Sequence, residues 1–251
     1  MAAYKLYLAF FALLALAEAK PRVLVVLDSW ALKETHSSFF GQMNWKFDVT
    51  YEMASEVSPL INYDEPNYDH VLIMTPSTSV SPDSISEKNL LKFFDAGHDI
   101  LIFGDQLTKK YTRNLLYNFG MEAYPQDNIL SDSSRTEGIT TSNVFKPVRK
   151  SISDPSSDII FNGIGVSLDS KNDRAFQILQ GSETSFATDS KVSDMGKDLT
   201  LVAGYQSRAN TRFSFAGSID MCSDKRIASQ GSKSESSNYR FCEDLMQWTF
   251  Q

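Results

Sequence analysis

Arg22-Val23-Leu24-Val25-Val26-Leu27-Asp28 is an unbroken leucine and β-branched run that ends on a carboxylate. A half-exposed strand alternates apolar with polar residues, whereas a run apolar at every position belongs to a strand buried on both faces, as in a parallel sheet covered by helices. The same reading fits Asp69-His70-Val71-Leu72-Ile73-Met74, stopped by Pro76, and Asp99-Ile100-Leu101-Ile102-Phe103-Gly104. Phe47-Asp48-Val49-Thr50-Tyr51-Glu52-Met53 does alternate, and reads as an edge strand. Helical spacing fills the gaps. One segment carries Phe39, Phe40 and Met43 behind Thr35 or Ser37 as the cap. Another opens at Ser81-Pro82-Asp83, puts Ile85, Leu90, Leu91, Phe93 and Phe94 on one face and stops at Gly97. A third runs from Lys109 to Phe119 and ends at Gly120. Strands and helices alternating at this spacing predict an α/β layered sandwich with a mainly parallel, doubly wound sheet of the Rossmann or flavodoxin kind.

Beyond Pro125 the pattern shortens into apolar pieces broken by Ser, Asp and Gly. Ser131-Asp132-Ser133-Ser134 and Ser151 to Asp158 read as surface loops. Ile159-Ile160-Phe161, Ala175 to Leu179, Leu199 to Ala203 and Arg212-Phe213-Ser214-Phe215-Ala216 read as strands or short helices. Tyr239, Phe241, Cys242, Leu245, Met246 and Trp248 mark a final helix. Arg212 to Ala216 is apolar enough for a central strand, so this β-rich half is expected to complete the same domain rather than form a second one beginning near residue 125.

The chain begins with a leader pattern. Lys5 precedes the apolar run Leu6 to Leu16, and Ala17-Glu18-Ala19 supplies the small residues a signal peptidase requires, so residues 1–19 are expected to be removed and 20–251 to form a luminal domain. Eleven apolar residues are too few to span a bilayer, and the later apolar runs are of strand length. A net charge of −7 with scattered acidic residues argues against nucleic acid as a partner. Cys222 and Cys242, 20 residues apart, either pair in an oxidising lumen or remain as two buried thiols. Neither has a nearby His or a Cys-x-x-Cys spacing, which leaves no metal site there. No Asn-x-Ser/Thr acceptor occurs.

Open α/β sheets hold ligands at the C-terminal ends of their strands, which directs the search to the residues after Leu27, Met74, Phe103 and Ala216. There stand Asp28-Ser29-Trp30, Thr75-Pro76-Ser77, Gly104-Asp105-Gln106 and Gly217-Ser218-Ile219-Asp220. None is a Gly-x-Gly-x-x-Gly turn or a P-loop, and Gly-x-Ser-x-Gly is missing, so no cofactor is expected. His36, His70 and His98 lie in separate elements without metal-ligand spacing. Asp28, His36 and Asp105 are the polar groups from which a hydrolase or sugar-binding site at this edge would be assembled, with Asp28 and Asp105 as a carboxylate pair. Asp at strand ends and His at helix starts also serve as hydrogen-bonding caps, and no nucleophile stands out for His36 to activate.

Taken in order, several blocks resemble one family, that of the 48 kDa subunit of the oligosaccharyltransferase complex. They are Arg22 to Asp28 followed by Glu34-Thr35-His36-Ser37 and Phe39-Phe40, then Tyr68-Asp69-His70-Val71-Leu72-Ile73 with Pro76-Ser77. Gly181-Ser182-Glu183-Thr184-Ser185-Phe186 and Ala203-Gly204-Tyr205-Gln206-Ser207-Arg208-Ala209-Asn210-Thr211-Arg212 follow, and Ala216-Gly217-Ser218-Ile219-Asp220, Ser223-Asp224 and Asn238-Tyr239 through Trp248 and Phe250 complete the set. The resemblance implies a non-catalytic luminal subunit of the endoplasmic reticulum complex that transfers a preassembled oligosaccharide from dolichyl diphosphate to Asn of nascent proteins. Catalysis would belong to a different, multispanning subunit, and the partners would be the other subunits of the complex. Family members continue into further luminal β domains and a transmembrane helix, so membrane association is expected through partners or through a C-terminal helix beyond Gln251. Cys222 and Cys242 are not part of the family pattern. The competing expectation is a stand-alone luminal hydrolase or sugar-binding module built on Asp28, His36 and Asp105.

Overall fold

The computed structural model describes residues 19–79, 82–126, 128–132, 139–142, 158–188, 194–233 and 236–251. The leader expected over residues 1–19 lies, apart from Ala19, outside the described residues, as do Ser81, Ser133-Ser134 and residues 151–157 of the expected loops.

A seven-stranded sheet organises the molecule. Its strands are β1 (Arg22–Leu27), β2 (Asp48–Met53), β3 (His70–Met74), β4 (Asp99–Phe103), β5 (Ala175–Gln180), β6 (Thr200–Gln206) and β7 (Arg212–Ala216), in the order β5-β6-β7-β4-β3-β1-β2. The five strands from β7 to β2 are mutually parallel, and β6 runs antiparallel to both of its neighbours. β3, β4 and β7 are buried at every position, and β1 at all but Arg22, which is what their continuous apolar runs demanded. β2 pairs only with β1 and is half-exposed, as its alternation requires. Three strands of the β-rich half therefore join the same sheet, β7 docking beside β4 and carrying β6 and β5 with it, while its other described strands pair two by two outside that sheet.

The helices are α1 (Ala31–Thr35), α2 (Ser37–Lys46), α3 (Glu87–Asp95), α4 (Lys110–Asn118), α5 (Asp224–Ser229) and α6 (Ser237–Thr249). From β1 the chain steps outward through α2 to β2, then returns to the other side of β1 as β3 and proceeds through α3 to β4. Right-handed crossovers in opposite directions put α2 and α3 on opposite faces of the sheet, the doubly wound arrangement, and the reversal makes a switch point between β1 and β3. α6 lies alongside α2, joined by the Lys46–Glu243 ion pair at 2.7 Å. On the α4 side Phe119 stacks on Phe213 of β7 at 3.8 Å between centroids, with Phe94 of α3 edge-on to it. Gly97 and Gly120 take positive φ, 99° and 70°, at the expected helix stops.

Two expectations are corrected. Ser131-Asp132 is not surface loop: Ile129–Asp132 pairs with Ser185–Thr188, and the Asp132 carboxylate is buried while accepting from the hydroxyls of Ser182 at 2.7 Å and Thr184 at 2.6 Å. Polar composition was misleading because these polar groups satisfy one another. Asp158, placed at the end of the second loop, instead opens the strand Asp158–Phe161. The last residues of the chain are tied to the N-terminal edge of the sheet. Arg212 stacks over Trp248 and donates to Trp248 O at 2.5 Å and to Gln251 Oε1 at 2.7 Å. Phe250 stacks on His70, whose Nδ1 is 3.0 Å from Asp99 Oδ2, although off the line of a hydrogen bond.

Candidate functional site

The C-terminal ends of β1, β3, β4 and β7 share one edge, so the loops singled out from the sequence do meet. At the switch point, where folds of this kind open a ligand crevice, Asp28 closes it. Its carboxylate accepts from the Ser77 N–H at 2.9 Å, the Ser77 hydroxyl at 2.7 Å and the Thr78 hydroxyl. Three donors on one carboxylate stitch the ends of β1 and β3 together and leave Asp28 committed to holding the loop.

His36 is equally committed. It is 3 % exposed, its Nε2 is 2.9 Å from Ile219 O, and its Nδ1 is 2.9 Å from the Thr35 hydroxyl. A carbonyl only accepts, so the Nε2 carries the proton and Nδ1 is left to accept. Burial pushes the imidazole below its ordinary pKa, outweighing the hydrogen bond to Ile219, so at neutral pH the ring is uncharged. The start of α2 next to it is capped by neither Thr35 nor Ser37, as was expected, but by Asp224. That carboxylate accepts from Ser37 N at 2.9 Å, Ser37 Oγ at 2.7 Å and Ser38 N at 2.9 Å. The substitute cap is the first residue of α5, and together with the His36–Ile219 hydrogen bond it clamps the α1–α2 corner to the segment that follows β7.

Asp105 is the member of the trio with capacity left. Its Oδ1 accepts from Leu107 N at 2.6 Å, within a turn held by Thr108 Oγ1 on Asp105 N and by Gln126 on Leu107 O and Thr108 O. Burial raises its carboxyl above the usual range and the neighbouring Asp28 charge raises it further. The charge of Asp28 acts on Asp105, while His36 bonds to Ile219 and no hydrogen bond among the described residues links any two of the three. Among the described residues no group of three or more His, Cys, Asp or Glu is placed to hold a metal ion.

An open cleft lies one step along the edge from the switch point. It has a volume of about 390 Å³ and is lined by Asp105, Gln106, Leu107, Asn162, Gly163, Ile219 and Asp220. Two glycines shape it, Gly163 on the lining and Gly217 behind it. A Cβ on Gly163 would stand 2.0 Å from Gly217 O, and one on Gly217 would stand 1.8 Å from Ile164 O, so the two backbones touch as no other residue allows. Ile164 N–H to Gly217 O at 2.7 Å and the Ser218 hydroxyl to Asn162 O at 2.6 Å lock the contact. Asp220, across from Asp105, is already satisfied by Ser223 Oγ at 3.1 Å and Arg226 Nε at 2.5 Å. Behind this wall the structure joins Cys222 to Cys242 of α6 in a disulfide, with Cα atoms 5.9 Å apart. Sequence reasoning reached the loops of Asp105 and Asp220 but missed Asn162-Gly163. The alternate glycines of Asn162-Gly163-Ile164-Gly165 were the available signal, since Gly165 likewise leaves room, here for the Tyr124 ring.

The blocks that carried the family resemblance are placed in this architecture as packing and turn elements. Gly181 to Phe186 includes the hydroxyls that hold Asp132, and Ser207 to Thr211 forms the β6–β7 turn, with Asn210 at φ 70°. The family model described as OST48, N-terminal domain, matches residues 14–251. The chain belongs to this family. As an OST48 N-terminal domain it is similar to proteins named dolichyl-diphosphooligosaccharide–protein glycosyltransferase 48 kDa subunit in three organisms. It is 27% identical over 255 residues to that of Arabidopsis thaliana, with 91% of this chain and 58% of the relative covered. To that of Danio rerio it is 28% identical over 259 residues, covering 92% and 58%. To that of Drosophila melanogaster it is 26% identical over 268 residues, covering 94% and 59%. The OST48 domain described here thus spans less than three fifths of the length of these relatives.

Proposed function

We propose that this chain is the luminal α/β module of a 48 kDa-type oligosaccharyltransferase subunit, acting without catalytic residues of its own in the endoplasmic reticulum. In this reading it supports transfer of a preassembled oligosaccharide from dolichyl diphosphate to Asn of nascent proteins, and its partners are the other subunits of that complex. The observation that carries the reading is the family match, which runs over nearly the whole chain. The chemistry of the strand edge supports the non-catalytic part. Catalysis by groups such as Asp28 and His36 requires that they be free to meet a substrate and exchange protons, and both are spent on internal hydrogen bonds.

Residues 1–19 act as the leader, with the mature chain starting at Lys20. Among the described residues no helix is long and apolar enough to cross a membrane. In this reading membrane association is through partner subunits or a C-terminal helix of the longer subunit. Affinity purification of the tagged chain from solubilised microsomes tests the proposal. The expected result is co-isolation with multispanning membrane subunits and oligosaccharide transfer that resides in the complex but not in the purified chain. Transfer or glycan hydrolysis by the isolated chain would refute it.

A further inference from the structure

The cleft between the β4 and β7 loops differs from the rest of the sheet edge in what its polar groups have left to offer. Asp28, His36 and Asp220 are saturated by partners within the protein. Asp105 keeps one carboxylate oxygen unused and, although within reach of both the like charge of Asp28 and the cation of Lys109, forms no ion pair among the described residues. The side-chain amides of Gln106 and Asn162, both on the lining, make no hydrogen bond within the described residues, which leaves their carbonyl oxygens free to accept. Apolar surface completes the set, with Leu107 more than half exposed on the rim and Ile219 beside it.

These features select a ligand by chemistry. An anion is disfavoured by the carboxylates of Asp105 and Asp220, and a purely apolar group would bury the amides unpaired. A compact cation suits a single free carboxylate oxygen flanked by neutral carbonyls, whereas a guanidinium fork needs two oxygens side by side. An aliphatic stem would cover Leu107 and Ile219. We propose that this cleft binds a primary ammonium on an aliphatic stem, the side chain of a lysine presented by a partner polypeptide, with Asp105 as its counter-charge. The cleft is open, so a free amine would keep much of its water there, whereas a polypeptide adds contact along the rim.

The test is titration of the purified, isotope-labelled chain, followed by backbone amide shifts, with four probes: a pentapeptide with central Lys, the same peptide with norleucine, the same with Arg, and n-butylamine. The expected result is saturable shifts at Gln106, Leu107 and Gly163 with the lysine peptide, at an affinity on the order of millimolar. The norleucine peptide gives none, the arginine peptide binds more weakly, and n-butylamine binds more weakly still. Asp105→Asn keeps the acceptor for Leu107 N and removes the like charge beside Asp28, so it should melt no lower than the parent while weakening the lysine peptide by about tenfold. Shifts that do not saturate or that map elsewhere, equal binding of norleucine, or undiminished binding by Asp105→Asn would overturn the assignment. Binding of n-butylamine as tight as the peptide would overturn the partner polypeptide as its source.

Discussion

Removing the Asp224 carboxylate isolates what one remote cap contributes. In Asp224→Ala the first two N–H groups of α2, on Ser37 and Ser38, lose their acceptor, both now at 2.9 Å, and the Ser37 hydroxyl loses its partner at 2.7 Å. A lost helix cap costs about 1 kcal/mol, and hydrogen bonds to a charged acceptor reach ~1.5–3 kcal/mol, so with the site partly open to water the expected loss is about 1–3 kcal/mol. For a domain of this size that corresponds to a melting point lower by on the order of 5 °C. pH adds a second reading. Burial alone would raise the Asp224 carboxyl, but the hydrogen bonds from Ser38 and Ser37 outweigh it and hold it below the ordinary carboxylate value. A depressed folded-state pKa contributes stability above the unfolded value that disappears as pH falls through the folded one, so the gap between parent and Asp224→Ala should close in acid. Denaturant melts at neutral and acidic pH, with hydrogen exchange at residues 37–40, measure both effects. A neutral-pH difference under about 0.5 kcal/mol, the range of an ordinary surface substitution, would refute the assignment of the cap.

Three further outcomes follow from the geometry. Replacing Cys222 and Cys242 together by Ala should lower stability by about 3 kcal/mol, the loop-entropy value for a closure of this length, and non-reducing mass spectrometry should find neither thiol alkylatable in the folded parent. Gly217→Ala should cost more than about 3 kcal/mol or prevent folding, because its Cβ would meet the backbone oxygen of Ile164 rather than a movable side chain; a denaturant midpoint near that of the parent would contradict the glycine contact. Protein recovered from a secretory host should begin at Lys20, as N-terminal sequencing can establish, and a start at Met1 would refute the leader.

The central strands were legible because burial on both faces leaves a local signature, seen alike in Val23 to Leu27, Val71 to Met74 and Ile100 to Phe103. Helix stops were legible for the same reason, since Gly97 and Gly120 are required where they stand. Strand order was not, because it depends on pairings between distant segments: β7, from residue 212, seats beside β4. The same holds for the site. Asp28, His36 and Asp105 could be placed at the ligand edge from strand ends, but their roles are set by Ser77, Ile219 and Leu107, and the carboxylate that caps α2 lies 187 residues away from Ser37. No local pattern announces such a partner. Asp132 shows the converse, a polar stretch that reads as loop until its hydroxyl partners are known.

The central claim is that this chain serves glycosylation by being folded and present, and it is tested most directly by measuring subunit abundance beside acceptor-site occupancy in the same cells. Leu101→Ala, which empties a fully buried position in β4, should cost about 2–5 kcal/mol and reduce abundance and occupancy together. Asp28→Ala and His36→Ala should fall on the same line, with occupancy following however much folded protein remains. Loss of a catalytic group removes turnover while leaving abundance intact. A variant at Asp28 or His36 that accumulates to parental levels yet loses glycosylation would contradict the account.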